Sequence, residues 1–206
     1  MKKVIFIILG LSTLACNSEN YDDSVPVSSS YTSRNSELET VSKDSRPQKW
    51  AKKVTGSPFD NLYKVNDDIY RSEQPDSDGY NYLQQKNVAS ILNLRSGHTD
   101  NVGGTNYTGS LYNVPMVASS VSDVEIIKAL RIIRTAPKPI DIHCQHGSDR
   151  TGVTLAMYRI VFQNWSKQDA TQEMKEGGYN FHPQYTNLVN YIANVDVDYI
   201  KTKVFN

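Results

Sequence analysis

The sequence is poor in cysteine, has no excess of charge of either sign and contains no apolar run long enough to span a membrane comfortably. Two cysteines in 206 residues exclude a small scaffold built on disulfides. The 22 basic and 22 acidic side chains balance, which argues against nucleic acid as a partner. No internal repeat is present. These absences indicate an ordinary globular protein whose function is carried by local motifs.

The first residues have the pattern of an export signal. Lys2 and Lys3 precede an apolar run over residues 4–14 that is short for a membrane span. Ala15 and Cys16 then resemble the processing site of bacterial lipoproteins, in which the cysteine is acylated. Cleavage without acylation is the alternative. We expect residues 1–15 to be a signal peptide and lipid on Cys16 to anchor the exported protein in the cell envelope, facing the periplasm or the cell surface.

Two regions of different composition follow the signal. Residues 16–50 are rich in serine and other polar residues and show no periodicity, so we expect a lipidated, disordered tether. Residues 51–206 amount to roughly 155 residues, which is enough for one well-cored domain and not for two. We expect this single domain to carry the function.

Strand-like and helix-like patterns alternate along residues 51–206. The predicted strands are 62–65, 69–71, 88–94, 111–114 and 139–143. The predicted helices are 76–86, 122–134, 151–164, 166–176 and 185–193. This alternation predicts an α/β domain with a largely parallel central sheet of four to five strands and helices on both faces.

One ten-residue segment carries most of the chemical information. Residues 143–152 have the sequence HCQHGSDRTG and lie between a short apolar strand and an apolar helical pattern. A tight loop that opens a helix brings backbone N–H groups and the positive end of the helix dipole to one point, which makes an anion site. The same field lowers the pKa of a thiol, so Cys144 should be largely thiolate near neutral pH. Arg150 can hold two oxygens of a phosphoryl group in its planar fork.

The segment resembles the signature loop of the cysteine-dependent protein phosphatases, His-Cys-x5-Arg-Thr/Ser-Gly, and especially that of their atypical dual-specificity branch. His143, Gly147, Thr151 and Gly152 match the pattern in addition to the cysteine and the arginine. The resemblance extends over residues 57–193. It implies a phosphatase domain that hydrolyses phosphate monoesters through a phosphocysteine intermediate, without a metal ion or another cofactor.

The resemblance also implies roles for individual residues. Cys144 is the expected nucleophile, and Arg150 is expected to bind the phosphoryl oxygens. His143 is expected to order the loop and the thiolate, with Asp141 on the same strand face orienting it. Thr151 is either a hydroxyl donor to the sulfur or an ordinary residue of the first helical turn. The expected phosphate-binding residues are Gln145, His146, Gly147, Ser148, Asp149 and Arg150.

The proton donor for the leaving group departs from the family pattern. The family usually supplies an aspartate from a separate loop before the cysteine, and the corresponding place here falls near Ala118, which cannot ionise. Asp149 is the expected substitute, because a thiolate and a bound phosphate disfavour a second anion beside them. Alternatively, Asp149 forms an ion pair or caps the helix. Asp123 is the second candidate, although Ser122 and Glu125 around it indicate a helix start.

The sequence leaves the substrate open. A phosphoprotein, a phosphoinositide and a soluble inositol phosphate all suit a shallow cationic pocket. Because the usual acid is absent, a catalytically weak phosphate-binding module is the alternative to an enzyme. A rhodanese-like sulfur carrier, which also places a cysteine loop at a helix N-terminus, is the less favoured alternative.

Overall fold

A six-stranded mixed sheet lies at the centre of the computed structural model, which describes residues 46–206. The strands are β1 Lys52–Lys53, β2 Tyr63–Asn66, β3 Ile69–Ser72, β4 Ser90–Arg95, β5 Ser110–Met116 and β6 Ile140–His143. Their order across the sheet is β1-β2-β3-β6-β4-β5. The pairs β3–β6, β6–β4 and β4–β5 are parallel, whereas β1 pairs with β2 and β2 with β3 in antiparallel fashion.

The predicted α/β class with a mostly parallel sheet is confirmed, but the predicted number of four to five strands is too low. The additional strand is β1, which consists of two exposed lysines. Two polar residues carry no apolar alternation, so no sequence pattern identifies such a strand. The other five strands lie where the sequence predicts them, with small shifts at their ends.

Six helices surround the sheet in the described part of the chain. They are α1 Ser77–Gln85, α2 Asp123–Thr135, α3 Asp149–Gln163, α4 Lys167–Glu176, α5 Thr186–Asn194 and α6 Val197–Phe205. The first five correspond to the five predicted helices, whereas α6 is missing from the prediction. Asp196 caps α6 by accepting a hydrogen bond from the Tyr199 N–H, and Ile200 and Val204 bury one face of it. A cap followed by apolar residues four positions apart is the signal that identifies this helix.

Helices cover both faces of the sheet, as predicted. On one face, Tyr80 and Leu83 of α1 pack in a cluster with Ile91 of β4. On the other face, Leu92 and Leu94 belong to the larger core, to which α2–α6 contribute. Successive residues of β4 reach opposite faces because side chains alternate along a strand. The strand is therefore buried on both sides, as is typical of a parallel sheet between two helical layers.

The central position of β6 determines where the chemically important loop emerges. The strand pairs in parallel with β3 on one side and β4 on the other, so His143 lies level with Ser72 and Asn93. Parallel strands bring their carboxyl ends to one edge of the sheet, where binding sites of open α/β folds form. Cys144 follows β6 directly and therefore lies in the middle of that edge.

The ordered domain begins before its predicted start at residue 51. Arg46 donates hydrogen bonds to the Ala51 carbonyl (2.7 Å) and to the Tyr179 hydroxyl (2.9 Å), and Trp50 is buried. The Arg46 guanidinium also lies near the rings of Trp50, Tyr63 and Tyr179. These rings come together only in the folded domain. The composition of residues 46–50 alone is polar and therefore predicts a tether.

The predicted signal peptide, the lipidation of Cys16 and most of the predicted tether lie outside the described residues. Among residues 46–206, no helix is long and apolar enough to cross a membrane. The signal at residues 1–15 and the anchor at Cys16 stay predictions.

Candidate active site

The chain after β6 forms a loop, residues 144–148 (the cysteine loop), whose carbonyl groups are held from outside. The Gln145 carbonyl accepts a hydrogen bond from the Gln74 N–H (3.2 Å). The His146 carbonyl accepts one from the Asn61 side chain (2.7 Å), and the Gly147 carbonyl accepts one from the Arg71 guanidinium (2.6 Å). Because the carbonyls bind outward, N–H groups of the loop are left to face its centre. The backbone N–H groups of His146 and Thr151 lower the pKa of the Cys144 thiol. The loop is thus built as a cradle for an anion.

Gly147 lets this loop lie directly on the end of β3. Its φ is +69°, in the left-handed region that favours glycine. A Cβ at this position would lie 2.5 Å from the Ser72 carbonyl oxygen and 2.7 Å from the Glu73 nitrogen, and both are backbone atoms. Any other residue would therefore push the loop away from the strand.

The thiol of Cys144 is buried at the start of the loop, with 1% of the residue exposed. Burial raises the pKa of this thiol, but the nearby Thr151 hydroxyl and N–H, the charge of Arg150 and the His146 N–H together lower it by more. The net pKa of Cys144 is therefore below that of an ordinary thiol. Within residues 46–206 the buried Thr151 hydroxyl has no hydrogen bond of regular geometry, which leaves it available to the sulfur.

The first turn of α3, which begins at Asp149, presents free donors beside the thiol. The N-cap residue Ser148 makes no side-chain bond to the helix, and its hydroxyl donates to the His146 carbonyl (3.2 Å). The Arg150 guanidinium lies 3.5 Å from the Met116 carbonyl at the end of β5. The buried Nε of Arg150 has no partner in the described region. Free N–H groups at a helix N-terminus and a free guanidinium edge can bind a phosphoryl group.

His143 is a buried cation that holds the cysteine from the strand side. Its Nδ1 lies 3.2 Å from the Cys144 carbonyl oxygen, and its Nε2 lies 3.1 Å from a carboxylate oxygen of Asp100. Burial lowers the pKa of His143, but Asp100 raises it by more, so the net shift is upward. Since both ring nitrogens face acceptors, both carry protons and donate. This geometry suits a residue that orders the loop.

The partner of His143 is Asp100, and not Asp141 as strand alternation suggests. Asp141 instead accepts a hydrogen bond from the Ser72 hydroxyl (2.7 Å), and burial raises its pKa to about 6. Asp100 comes from the long loop after β4, and its side chain is 3% exposed. It also accepts a hydrogen bond from the Gln74 side chain (2.9 Å). The sequence contains no periodic signal for Asp100, because an irregular loop can be placed only in three dimensions.

Arg71 of β3 is a further buried cation beside the cysteine loop. The residue is 2% exposed, and its guanidinium carbon lies 3.4 Å from the centre of the Tyr179 ring. Burial lowers the pKa of Arg71, but an arginine retains its charge inside proteins. Its bond to Gly147 and its charge both support the cradle. The sequence shows an arginine in a strand, but not that the strand delivers it to this loop.

A cavity of about 220 Å³ opens at the cysteine loop. Its lining residues are Ala118, Gln145, His146, Asp149, Arg150, His182, Gln184 and Tyr185. Gln145 and His146 are exposed at the rim, whereas Gly147 and Ser148 are buried in the loop. The structure brings the predicted loop residues together and adds a wall from residues 182–185 that the sequence does not indicate. No group of three or more His, Cys, Asp or Glu side chains in the described part of the chain could hold a metal ion.

Two positions considered for the proton donor have different surroundings. Ala118 lines the cavity, so the place where the family usually carries its acid faces the site but cannot ionise. Asp123 is the first residue of α2 and accepts a hydrogen bond from the Tyr191 hydroxyl (2.8 Å). The Glu125 side chain accepts one from the Ser122 N–H (2.7 Å), which confirms the predicted helix start. Asp123 is thus engaged at the helix and is not among the residues that line the cavity.

Asp149 does line the cavity, but both of its carboxylate oxygens are engaged by His182. Oδ1 accepts a hydrogen bond from the His182 backbone N–H (3.0 Å), and Oδ2 lies 2.8 Å from His182 Nδ1. Asp149 is buried, whereas 37% of the His182 side chain is exposed. Of the alternatives that the sequence left open, this geometry favours the ion-pair partner over the free acid. The sequence gives no signal for His182, which lies in an irregular segment far along the chain.

Comparisons with known proteins identify phosphatases as relatives of this chain. A family model described as a polymorphic toxin system DSP-PTPase phosphatase matches residues 66–164. The dual specificity protein phosphatase TpbA of Pseudomonas aeruginosa is 32% identical over 163 residues, which cover 78% of this chain and 73% of that protein. The crystal structure of a TpbA variant in complex with pTyr matches with a TM-score of 0.69 and 31% identity, over 78% of this chain and 99% of that one. The inositol diphosphatase SIW14 of Saccharomyces cerevisiae is 34% identical over 119 residues, which cover 53% of this chain and 42% of that protein.

Proposed function

The chain belongs to the dual-specificity-like branch of the cysteine-dependent phosphatases, and on this premise we propose that it hydrolyses phosphate monoesters through a phosphocysteine intermediate. One observation carries the proposal: the thiol with a lowered pKa and a guanidinium with an unpaired nitrogen lie at one helix N-terminus. Sulfur attacks phosphorus readily only as the thiolate. The attack also requires hydrogen-bond donors that stabilise the negative charge on the phosphoryl oxygens.

In the first step the Cys144 thiolate attacks phosphorus while the bond to the leaving oxygen breaks. The Arg150 fork and the N–H groups of the cysteine loop bind the three remaining phosphoryl oxygens. A group of the enzyme gives a proton to the leaving oxygen, because an alkoxide or phenoxide is a poor leaving group. This donor belongs to the pair formed by Asp149 and His182, both of which line the cavity.

In the second step water attacks the phosphocysteine and releases inorganic phosphate. The sulfur leaves as thiolate, so the same groups that lower the pKa of Cys144 favour this step. The Thr151 hydroxyl donates to the departing sulfur. His143 keeps the Cys144 carbonyl and the loop in place through both steps and transfers no proton.

The substrate is a phosphorylated hydroxyl of a phosphoprotein, a phosphoinositide or an inositol phosphate. In support, TpbA is a dual specificity protein phosphatase whose variant binds pTyr, and SIW14 is an inositol diphosphatase. His146, exposed at the rim, can donate a hydrogen bond to the phosphate groups of such a substrate. Comparing kcat/KM on a phosphopeptide, a phosphoinositide and an inositol phosphate distinguishes the three classes.

The enzyme acts in the cell envelope, anchored by lipid on Cys16. The support for this location is the sequence pattern of residues 1–16. Labelling cells with a radioactive fatty acid tests the anchor, because lipid should attach to the wild-type chain and not to Cys16→Ser. Unlabelled wild-type protein in the soluble envelope fraction would contradict it.

Hydrolysis of an aryl phosphate tests the proposed reaction. We expect vanadate-sensitive turnover by the wild-type enzyme and none by Cys144→Ser, because a serine hydroxyl in this cradle is not ionised. Acid quenching with radiolabelled substrate should trap phosphate on the peptide that contains Cys144. Phosphate binding without turnover, or undiminished turnover by Cys144→Ser, would contradict the proposal.

A further inference from the structure

We infer that His182, held by Asp149, donates the proton to the leaving group. The inference rests on the proposed phosphocysteine mechanism and supplies the acid that Ala118 cannot provide. Its basis is that one carboxylate contacts both the backbone and the ring of a histidine at the rim of the cavity. The histidine is therefore a catalytic residue, and the aspartate is a positioning residue.

Asp149 determines both the place and the protonation of the His182 ring. Its Oδ1 accepts the backbone N–H at 3.0 Å, which fixes the main chain, and its Oδ2 contacts Nδ1 at 2.8 Å, which fixes the ring. An ionised carboxylate only accepts hydrogen bonds, so Nδ1 carries a proton and Nε2 is the free nitrogen. Because Asp149 directly precedes Arg150 in α3, the ring is held relative to the guanidinium that binds the phosphoryl group.

The other ionisable side chains of the cavity are less suited to the task. Asp149 is an acceptor of two hydrogen bonds in this geometry and has no proton aimed at a substrate. His146 and Tyr185 have ring centres 5.5 Å and 6.2 Å from that of His182. Among the residues that line the cavity, His182 is the one whose ring is held by a carboxylate. A buried carboxylate that orients a histidine and stabilises its cation is a recurrent way to build an acid–base catalyst.

The proton moves in balance with the two bond changes at phosphorus. As the sulfur–phosphorus bond forms and the bond to the leaving oxygen breaks, Nε2–H of the His182 cation protonates that oxygen and the alcohol departs. The neutral imidazole then takes a proton from the attacking water while the phosphorus–sulfur bond breaks. These two transfers regenerate the thiolate and the protonated histidine, so no other reactant is needed.

Leaving-group dependence is the measurement that separates this role from a structural one. We compare phenyl phosphate, whose leaving group needs a proton, with p-nitrophenyl phosphate, whose phenoxide leaves without one. His182→Gln should lower kcat/KM on phenyl phosphate by about a hundredfold to a thousandfold, because kcat/KM reports the step in which the leaving group departs. The same variant should lower kcat/KM on p-nitrophenyl phosphate by less than about tenfold. The second step is common to both substrates, so its loss of a base affects kcat on both alike.

The pH profile provides an independent readout. A histidine acid must be protonated in the first step, so deprotonation of His182 gives an alkaline decline of kcat/KM on phenyl phosphate, which His182→Gln should abolish. The charged or titratable groups around the ring are Asp149 and Arg150 from α3, His146 from the cysteine loop and Tyr185 before α5. Asp149→Asn should also lower kcat/KM on phenyl phosphate, because the neutral amide no longer holds the His182 ring as a carboxylate does.

Two further variants keep the test decisive. His98→Gln makes the same change at a histidine that does not line the cavity, and both phosphates should be turned over at the wild-type rate. His182→Ala leaves space at a partly exposed position, so added imidazole should restore turnover of phenyl phosphate. Binding of vanadate to each variant verifies that the cradle is intact.

The outcomes separate this inference from the proposed function. If the wild-type enzyme depends on Cys144 but His182→Gln lowers kcat/KM on both phosphates equally, or on neither, the histidine is not the acid and only this inference fails. An unchanged alkaline decline, or no rescue by imidazole in a variant that binds vanadate, leads to the same conclusion. If turnover does not depend on Cys144, the proposed mechanism fails, and the inference fails with it.

Discussion

Replacing Gly147 by alanine should damage this enzyme far more than the same change at Gly97. The two glycines have nearly the same backbone conformation, with φ of +69° and +67°. They differ in surroundings, because nothing lies within 4 Å of a Cβ placed on Gly97, whereas a Cβ on Gly147 meets the backbone of Ser72 and Glu73. The pair therefore separates backbone strain from steric exclusion.

The magnitude follows from these contacts. A residue with a Cβ in the left-handed conformation costs about 1–2 kcal/mol, offset by about 0.4–1 kcal/mol because alanine restricts the unfolded chain. Gly97→Ala should therefore lose about 1 kcal/mol of unfolding free energy. At Gly147 the Cβ lies 2.5 Å from the Ser72 carbonyl oxygen, and Ser72 is held in β3 by its bond to Asp141. Overpacking of this kind adds about 1–3 kcal/mol.

The effect on catalysis should be larger than the effect on stability. The clash moves the cysteine loop away from β3, and a displacement of about 1 Å at a catalytic group can lower the rate about a hundredfold. We expect Gly147→Ala to lose about this factor in kcat/KM on an aryl phosphate, and Gly97→Ala to lose almost nothing. Urea unfolding and steady-state kinetics on both variants provide the measurements. Equal unfolding free energies together with equal kcat/KM would refute the steric argument.

Two electrostatic perturbations test the environment of the thiolate. Thr151→Val removes a donor near the sulfur, so the pKa of Cys144 should rise. Alkylation of Cys144 by iodoacetamide at mildly acidic pH, followed by peptide mass spectrometry, should then slow. An unchanged pH profile of alkylation would contradict the stabilisation of the thiolate by Thr151. Asp100→Asn should cost about 1.5–3 kcal/mol of stability at about pH 5.5 and less at about pH 9. The sign follows because the raised pKa of His143 contributes stability that is complete below histidine's ordinary pKa and is lost as pH rises through the folded value. Urea unfolding at the two pH values checks this, and an equal loss at both would show that the pair is not charged.

The regular elements of the domain were accessible from sequence because each has a local physical cause. Asp76 and Ser166 cap helices whose apolar faces are buried in the core, and the buried run of β4 has the composition of a strand covered on both sides. The two-residue β1 lacks such a cause, since its pairing with β2 is the only reason that it is a strand. The sequence did contain a signal for α6, in Asp196 and the apolar residues after it.

The candidate site also combines residues that a local motif brings together with residues that come from distant positions in the chain. Cys144, Gly147 and Arg150 are close in sequence, so one loop at a helix N-terminus brings them together whatever the rest of the chain does. The partners of that loop come from distant positions. Asp100 reaches His143 across 43 residues, and His182 reaches Asp149 across 33.

Local sequence was enough to establish the class of the domain and the chemistry of its cysteine loop, because periodicity, caps and a contiguous motif act over a few residues. The groups that tune that chemistry are brought to the loop by contacts between distant parts of the chain. Long-range contacts depend on the order of strands and on irregular loops, and neither has a periodic signature. The absence of an ionisable side chain at Ala118 is visible in the sequence, whereas His182 reaches the cavity only because residues 182–185 pack beside Asp149 of α3.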